Sequence, residues 1–224
     1  MVVIDAHQHV WDLAKVSYPW LTPETGILHR TYSFDELAPQ LDACGVDRTV
    51  LVQAADSVEE TRWMQAVADA HPQVAAIVAW VPLDDAPEAA RLLDDYAADR
   101  RIVGIRHLIH DEPDEDWLLR PAVREGLALL AERGLTFDAV AVTDRHLQHV
   151  STIAAAHPSL KIVIDHLAKP PIAAAGWMPW ADSLAMASTY PNVYAKVSGL
   201  NTAADPDWTA ADLKPYVDHA LDVF

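Results

Sequence analysis

Basic residues and cysteine are scarce in this chain. Sixteen lysines and arginines face 33 aspartates and glutamates across 224 residues, a formal charge of −17 at neutral pH with the histidines uncharged. So acidic a surface lacks the basic footprint that nucleic acid or an anionic membrane requires, so neither is an expected partner. A single arginine in a pocket can still hold a small anionic ligand. Cys44 stands alone, which excludes an internal disulfide and a cysteine metal cluster and fits a reducing cytoplasm. No apolar run approaches the roughly 18 residues of a spanning helix, and a first strand opening at residue 2 leaves no room for a signal peptide. Nor is there a glycine-rich loop of either phosphate-binding spacing, which counts against a nucleotide site.

What is present is ordinary globular composition: 51% hydrophobic and 22% charged residues exclude a disordered chain, and the length predicts one domain over residues 1–224. Apolar β-branched runs alternate with helical segments. Val2 to Ile4 reads as the start of a buried strand, followed by a long loop from Asp12 to Tyr32. Ser33 with Glu36, and Ser57 with Glu60, read as helix starts, and a helix is predicted from Trp117 to Arg133. In the last segment, from Ala210 to Phe224, the spacing places Leu213, Val217, Leu221 and Phe224 on one helical face. The junctions His71-Pro72-Gln73-Val74, His157-Pro158-Ser159-Leu160 and Tyr190-Pro191-Asn192-Val193 punctuate a strand–helix repeat of roughly 30 residues. Such alternation predicts a parallel sheet with helices outside it, either open or closed into a (β/α)8 barrel; without a phosphate loop the barrel is the better reading.

In a barrel the residues that end strands build the site. Asp5, His7 and His9 alternate onto one face of the first strand, with the imidazoles roughly 6–7 Å apart at the Cα level, close enough to converge on one ion or one carbonyl oxygen. Gln53, Arg106 with His107, Asp138, His166 and Ser198 end later strands. The planar fork of Arg106 suits a carboxylate or a polarised carbonyl, or equally a salt bridge between strand and loop. His166 can also be read as a core histidine bonded to backbone. His71 and His157 read as helix C-terminal residues, and His146 and His149 as an exposed pair one turn apart. Trp11, Trp20, Trp117, Trp177 and Trp180 fall in or beside the loops at that end.

Three segments are recognisable in order and spacing: Ile4-Asp5-Ala6-His7-Gln8-His9-Val10-Trp11, Gly104-Ile105-Arg106-His107, and Ile164-Asp165-His166-Leu167-Ala168-Lys169-Pro170. Together they resemble the lactonase branch of the amidohydrolase superfamily, the branch of sugar-acid and pyrone-dicarboxylate lactonases, over essentially the whole chain. The resemblance implies a (β/α)8 barrel of the amidohydrolase type and hydrolysis of a small sugar-acid lactone (L-fucono-, L-rhamnono- or a related aldonolactone). In that reading His7, His9 and His166 surround the lactone carbonyl, either as hydrogen-bond donors with no cofactor or as ligands of one divalent ion, zinc by preference. Arg106 holds substrate carboxylate or hydroxyl groups, with His107, Asp138 and Trp117 as further substrate contacts. The resemblance also implies an eighth strand carrying the aspartate that activates water. Only seven strands are legible here, so the chain is expected to be C-terminally incomplete, to lack that base, and to associate with copies of itself through open sheet edges. Two other functional readings stay open: a metal-dependent hydrolase or decarboxylase of the same superfamily, and a non-catalytic binding protein on a decayed barrel.

Overall fold

The computed structural model describes residues 2–224, which group into two compact units: residues 2–81 with Arg91–Arg106, and Pro82–Ala90 with His107–Phe224.

In the first unit, β1 (Ile4–Gln8), β2 (Arg48–Val52), β3 (Val74–Ala79) and β4 (Ile102–His107) run parallel, each beside the next in sequence. Leu51, Val52, Ile77, Val78, Ala79 and Ile105 are buried, as expected of strands whose faces both meet protein. Helix α1 (Phe34–Ala43) opens with the expected capping box, in which Ser33 and Glu36 bond reciprocally to backbone N–H groups. Helix α2 (Val58–Ala70) departs from expectation. Ser57 accepts from Glu60 N, but the Glu60 carboxylate turns away from the cap to accept from Ala54 N and Ala55 N. The long loop is not loose. Trp11, Val16, Tyr18 and Leu21 pack with Ala54 and Ala55 into a satellite core, flanked by Trp20, Tyr32 and Trp63.

β1 corrects one expectation. Val2, Val3 and Ile4 are 67%, 45% and 53% exposed, not buried, because β1 pairs with β2 alone among the described residues and its start stands at a sheet edge.

The second unit carries β5 (Thr136–Ala139), β6 (Lys161–Ile164) and β7 (Val193–Ala195), again parallel and in sequence order, after α3 (Ala86–Tyr96), whose residues fall in both units. Between and after the strands lie α4 (Pro121–Arg133), α5 (Asp144–Ala156), α6 (Trp180–Ser188) and α7 (Ala210–Val223). The helix predicted from Trp117 starts four residues later. Trp117–Leu119 is a separate 3-10 turn, and Pro121 takes the first helical position, where its missing N–H costs nothing. His146 and His149 are both buried, since α5 turns that face inward: His149 Nε2 donates to Asp116 Oδ1 at 2.7 Å and His146 Nδ1 accepts from Val142 N. The face predicted for α7 is not its core face. Leu221 and Phe224 are 70% and 47% exposed, while Tyr216 and Ala220 are buried, with Tyr216 against Trp177 and Trp180.

No helix among the described residues is long and apolar enough to cross a membrane.

Candidate active site

The histidine pair sits where β1 stops being regular. Asp5 pairs with Thr49 but Gln8 with Leu51, so β1 spends one residue more than β2 between those points. A bulge of this kind re-aims side chains, and here it lies at His7. Asp5 holds the bulge from below: its Oδ1 accepts from His7 N at 3.0 Å and its Oδ2 from Gln8 Nε2 at 2.6 Å. The outcome is convergence of the two rings, with Nε2 of His7 and Nε2 of His9 3.1 Å apart.

His9 Nδ1 lies 2.7 Å from the Val52 carbonyl oxygen. A carbonyl can only accept, so Nδ1 carries the proton and neutral His9 presents a lone pair at Nε2. Two imidazole nitrogens at chelating separation, one with its tautomer fixed by a backbone carbonyl behind it, are a donor set that suits zinc. Arg106, only 4% exposed, brings Nη1 to 3.4 Å from His7 Nε2. Its backbone is tied to β2, because Gln53 Nε2 donates to the Arg106 carbonyl at 3.0 Å and to Asp56 Oδ1 at 2.9 Å.

Glu60 was not singled out by sequence reasoning. Its carboxylate is almost fully buried, and that burial raises its pKa to about 7 against the opposing pull of its backbone hydrogen bonds and of Arg106. Tyr18, buried beside it, has its hydroxyl pKa raised by burial first and by the Glu60 charge second. A helix-start glutamate disguised this role, because the same residue type three places after a serine is the ordinary capping signal.

The second unit carries its own polar cluster. Asp138, at the end of β5, is 1% exposed and engaged by Lys196 and by Thr136 Oγ1. Lys196, just past β7, also lies 3.2 Å from Asp165 Oδ1. Sequence reasoning missed Lys196; its position two residues before Ser198 at a strand end was the available signal. His166 Nδ1 is 2.9 Å from Ser198 Oγ. His107 donates from Nε2 to Glu112 Oε1 at 2.7 Å and stacks on Trp117, with centroids 4.1 Å apart and planes 11° from parallel. Within the first unit His7, His9 and Arg106 meet; within the second, Asp138 contacts Lys196, His166 contacts Ser198, and His107 stacks on Trp117.

After β6 the backbone turns left-handed. His166, Leu167, Ala168 and Lys169 have φ of 53°, 51°, 59° and 46°, and none is glycine. Each such residue costs about 1–2 kcal/mol, so the turn persists only where its surroundings over-determine it, a condition met most often at functional sites.

A parallel α/β fold whose first strand ends in paired imidazoles is the layout of a barrel site suited to metal-assisted chemistry. Residues 4–224 match the Amidohydrolase family, and the chain belongs to that family. It has the amidohydrolase type of TIM-barrel fold with seven parallel strands and no eighth among the described residues. The chain is 38% identical to an L-fucono-1,5-lactonase of Burkholderia ambifaria over 221 residues, covering 99% of this chain and 76% of that protein. An L-fucono-1,5-lactonase of Burkholderia multivorans is 32% identical over 234 residues, with 99% and 77% covered. Among solved structures, an amidohydrolase from Burkholderia multivorans with bound zinc superposes with a TM-score of 0.88 at 31% identity, over 100% of this chain and 81% of that one.

Proposed function

We propose that the protein hydrolyses the lactone ring of a small sugar acid, with L-fucono-1,5-lactone as the first candidate. The observation that carries this reading is 38% identity to a named L-fucono-1,5-lactonase across 99% of the chain. The paired imidazoles ending β1 support it.

In this reading His7, His9 and His166 act on the lactone carbonyl oxygen. Donors or ligands aimed at that oxygen favour the tetrahedral oxyanion over the planar ground state, which lowers the barrier to water attack. The His7 and His9 nitrogens fit a zinc ion, with His166 as a further ligand by resemblance; when bound, the ion supplies Lewis acidity at the carbonyl. Arg106 holds a substrate carboxylate or hydroxyl pair through its fork, with His107, Asp138 and Trp117 as further substrate contacts. With Nδ1 bonded to the Val52 carbonyl, neutral His9 offers a lone pair at Nε2 that reaches the lactone carbonyl through an ion, whereas direct donation to that oxygen needs the ring doubly protonated. The lone, exposed Cys44 is compatible with a cytoplasmic setting.

The test is proton release on mixing the purified chain with a panel of aldonolactones, before and after dialysis against a chelator. Turnover of L-fuconolactone or a close relative supports the reading, and its loss on chelation, restored by zinc, assigns the ion. No turnover on any lactone, together with zinc-dependent decarboxylation of an aromatic acid, would replace it with the decarboxylase alternative.

A further inference from the structure

The stretch leaving β7 touches the left-handed turn after β6 at several points. Lys196 N donates to the Ile164 carbonyl at 2.9 Å, and Leu167 N donates to the Lys196 carbonyl at 3.2 Å. The Lys196 ammonium lies 3.2 Å from Asp165 Oδ1, on the residue that enters the turn. Ser198 Oγ meets His166 Nδ1 at 2.9 Å. Gly199 lies against the same ring: a Cβ there would stand 2.7 Å from His166 Nδ1, and its φ of 57° is itself left-handed, so space and backbone conformation both call for glycine. On the opposite side, Trp180 Nε1 donates to the Leu167 carbonyl at 2.7 Å, and Leu167 is fully buried.

Of His166-Leu167-Ala168-Lys169 only the histidine is a type enriched at positive φ, and the steric energy of Leu167, Ala168 and Lys169 disfavours it. A core histidine would not need such a backbone, because a regular helical start after β6 would bury the ring at lower cost. What the turn achieves is a ring held by contacts from a different strand.

We propose that Lys196, Ser198 and Gly199 are positioning residues for His166. Lys196 clamps the turn at its entry, Gly199 leaves the space the imidazole fills, and Ser198 fixes the ring's orientation through Nδ1, so that Nε2 rather than Cε1 is presented. This deepens the proposed function and rests on its assignment of His166 to the lactone carbonyl. A ring free to flip would present Cε1 in place of Nε2 part of the time, and misplacement of a reacting group by about 1 Å costs up to roughly a hundredfold in rate.

The experiment is long-range nitrogen–proton correlation of the imidazoles in the full chain at mildly alkaline pH without metal. The His166 signals are assigned by their absence in His166→Ala. In the unsubstituted protein His166 Nδ1 is expected to show the shift of a hydrogen-bonded ring nitrogen. Ser198→Ala is expected to move that shift by loss of the bond, and Ser198→Thr, which keeps the hydroxyl, to restore it. Thermal melts of both variants confirm that they fold. Wild-type His166 shifts in Ser198→Ala overturn the proposal, whatever the activity does. Lactone hydrolysis by the same proteins separates this from the functional reading: a moved Nδ1 shift with a kcat lowered roughly tenfold or more and KM little changed supports both. A moved shift with turnover unaltered upholds the ring seat and removes His166 from the reaction, and a moved shift with turnover absent from all of them upholds the seat and overturns the functional reading.

Discussion

Arg106 and Glu60 show how burial decides what a charged residue does in this protein. Arg106 reaches the histidine pair with its side chain while its backbone is anchored by Gln53, so its guanidinium is presented with little freedom. Lysine at this position keeps the charge but loses the planar fork. Arg106→Lys is therefore expected to raise KM for the lactone more than it lowers kcat, by about tenfold against about twofold, in steady-state assays. Unchanged kinetics would place the guanidinium outside the substrate site. Glu60 gives a pH prediction. Its folded pKa of about 7 lies above the ordinary value of 4.5, so its contribution to stability is complete below the unfolded pKa and is lost as pH rises through 7. Glu60→Gln mimics the protonated form. It should match the parent protein in denaturant titrations near pH 5 and exceed it by up to about 3 kcal/mol near pH 8. A constant difference at both pH values would mean that Glu60 does not titrate in this window.

At the scale of elements, the proline junctions foreseen in the sequence turn out to be fastened by a side chain. Asn192, in Tyr190-Pro191-Asn192-Val193, directs its amide to three carbonyls: Ala154 and His157 at the end of α5, and Leu160 before β6. Pro158 and Pro191 stop their helices, and Asn192 then locks the β6 entry to the β7 entry, which sets the register Ile162↔Val193. Asn192→Ala leaves buried carbonyls without this donor and is expected to cost about 1–3 kcal/mol, read as a lower denaturation midpoint with unchanged slope. A loss below a few tenths would assign the junction to its prolines alone. Element identities were legible because helix caps and prolines are local signals: Ser33 with Glu36 and Pro191 act where they were read. Boundaries shifted where a local signal was outcompeted, as when Pro121 claimed the helix start from Trp117.

At the scale of the whole molecule, the edge of β1 is the exposed liability. Val2 and Val3, just before β1, and Ile4 at its start present apolar side chains to solvent beside a strand that pairs with β2 alone among the described residues, a combination that invites association with another chain. The chain is expected to self-associate at high protein concentration despite its charge of −17, because the charge is spread over helices while the edge is apolar. Ile4→Lys should lower the weight-average mass in sedimentation at equal protein concentration and change stability by no more than about 0.5 kcal/mol. Equal masses for the two proteins would locate association elsewhere.

What the sequence determined by itself was the α/β alternation, the lactonase-like motifs and the identity of the strand-end residues His7, His9, Arg106, His107, Asp138 and His166. Periodicity, caps and motif spacing are encoded by neighbours along the chain, so they survive without a third dimension. Tertiary structure alone decided which groups met. The bulge that brings His7 onto His9, the inward turn of His146 and His149, the burial that lifts Glu60, and the approach of Lys196, Ser198 and Gly199 to the His166 turn each depend on a neighbouring element. Those contacts depend on strand register and on desolvation, which are properties of the packed chain, and a strained left-handed turn exists only because the packed chain holds it.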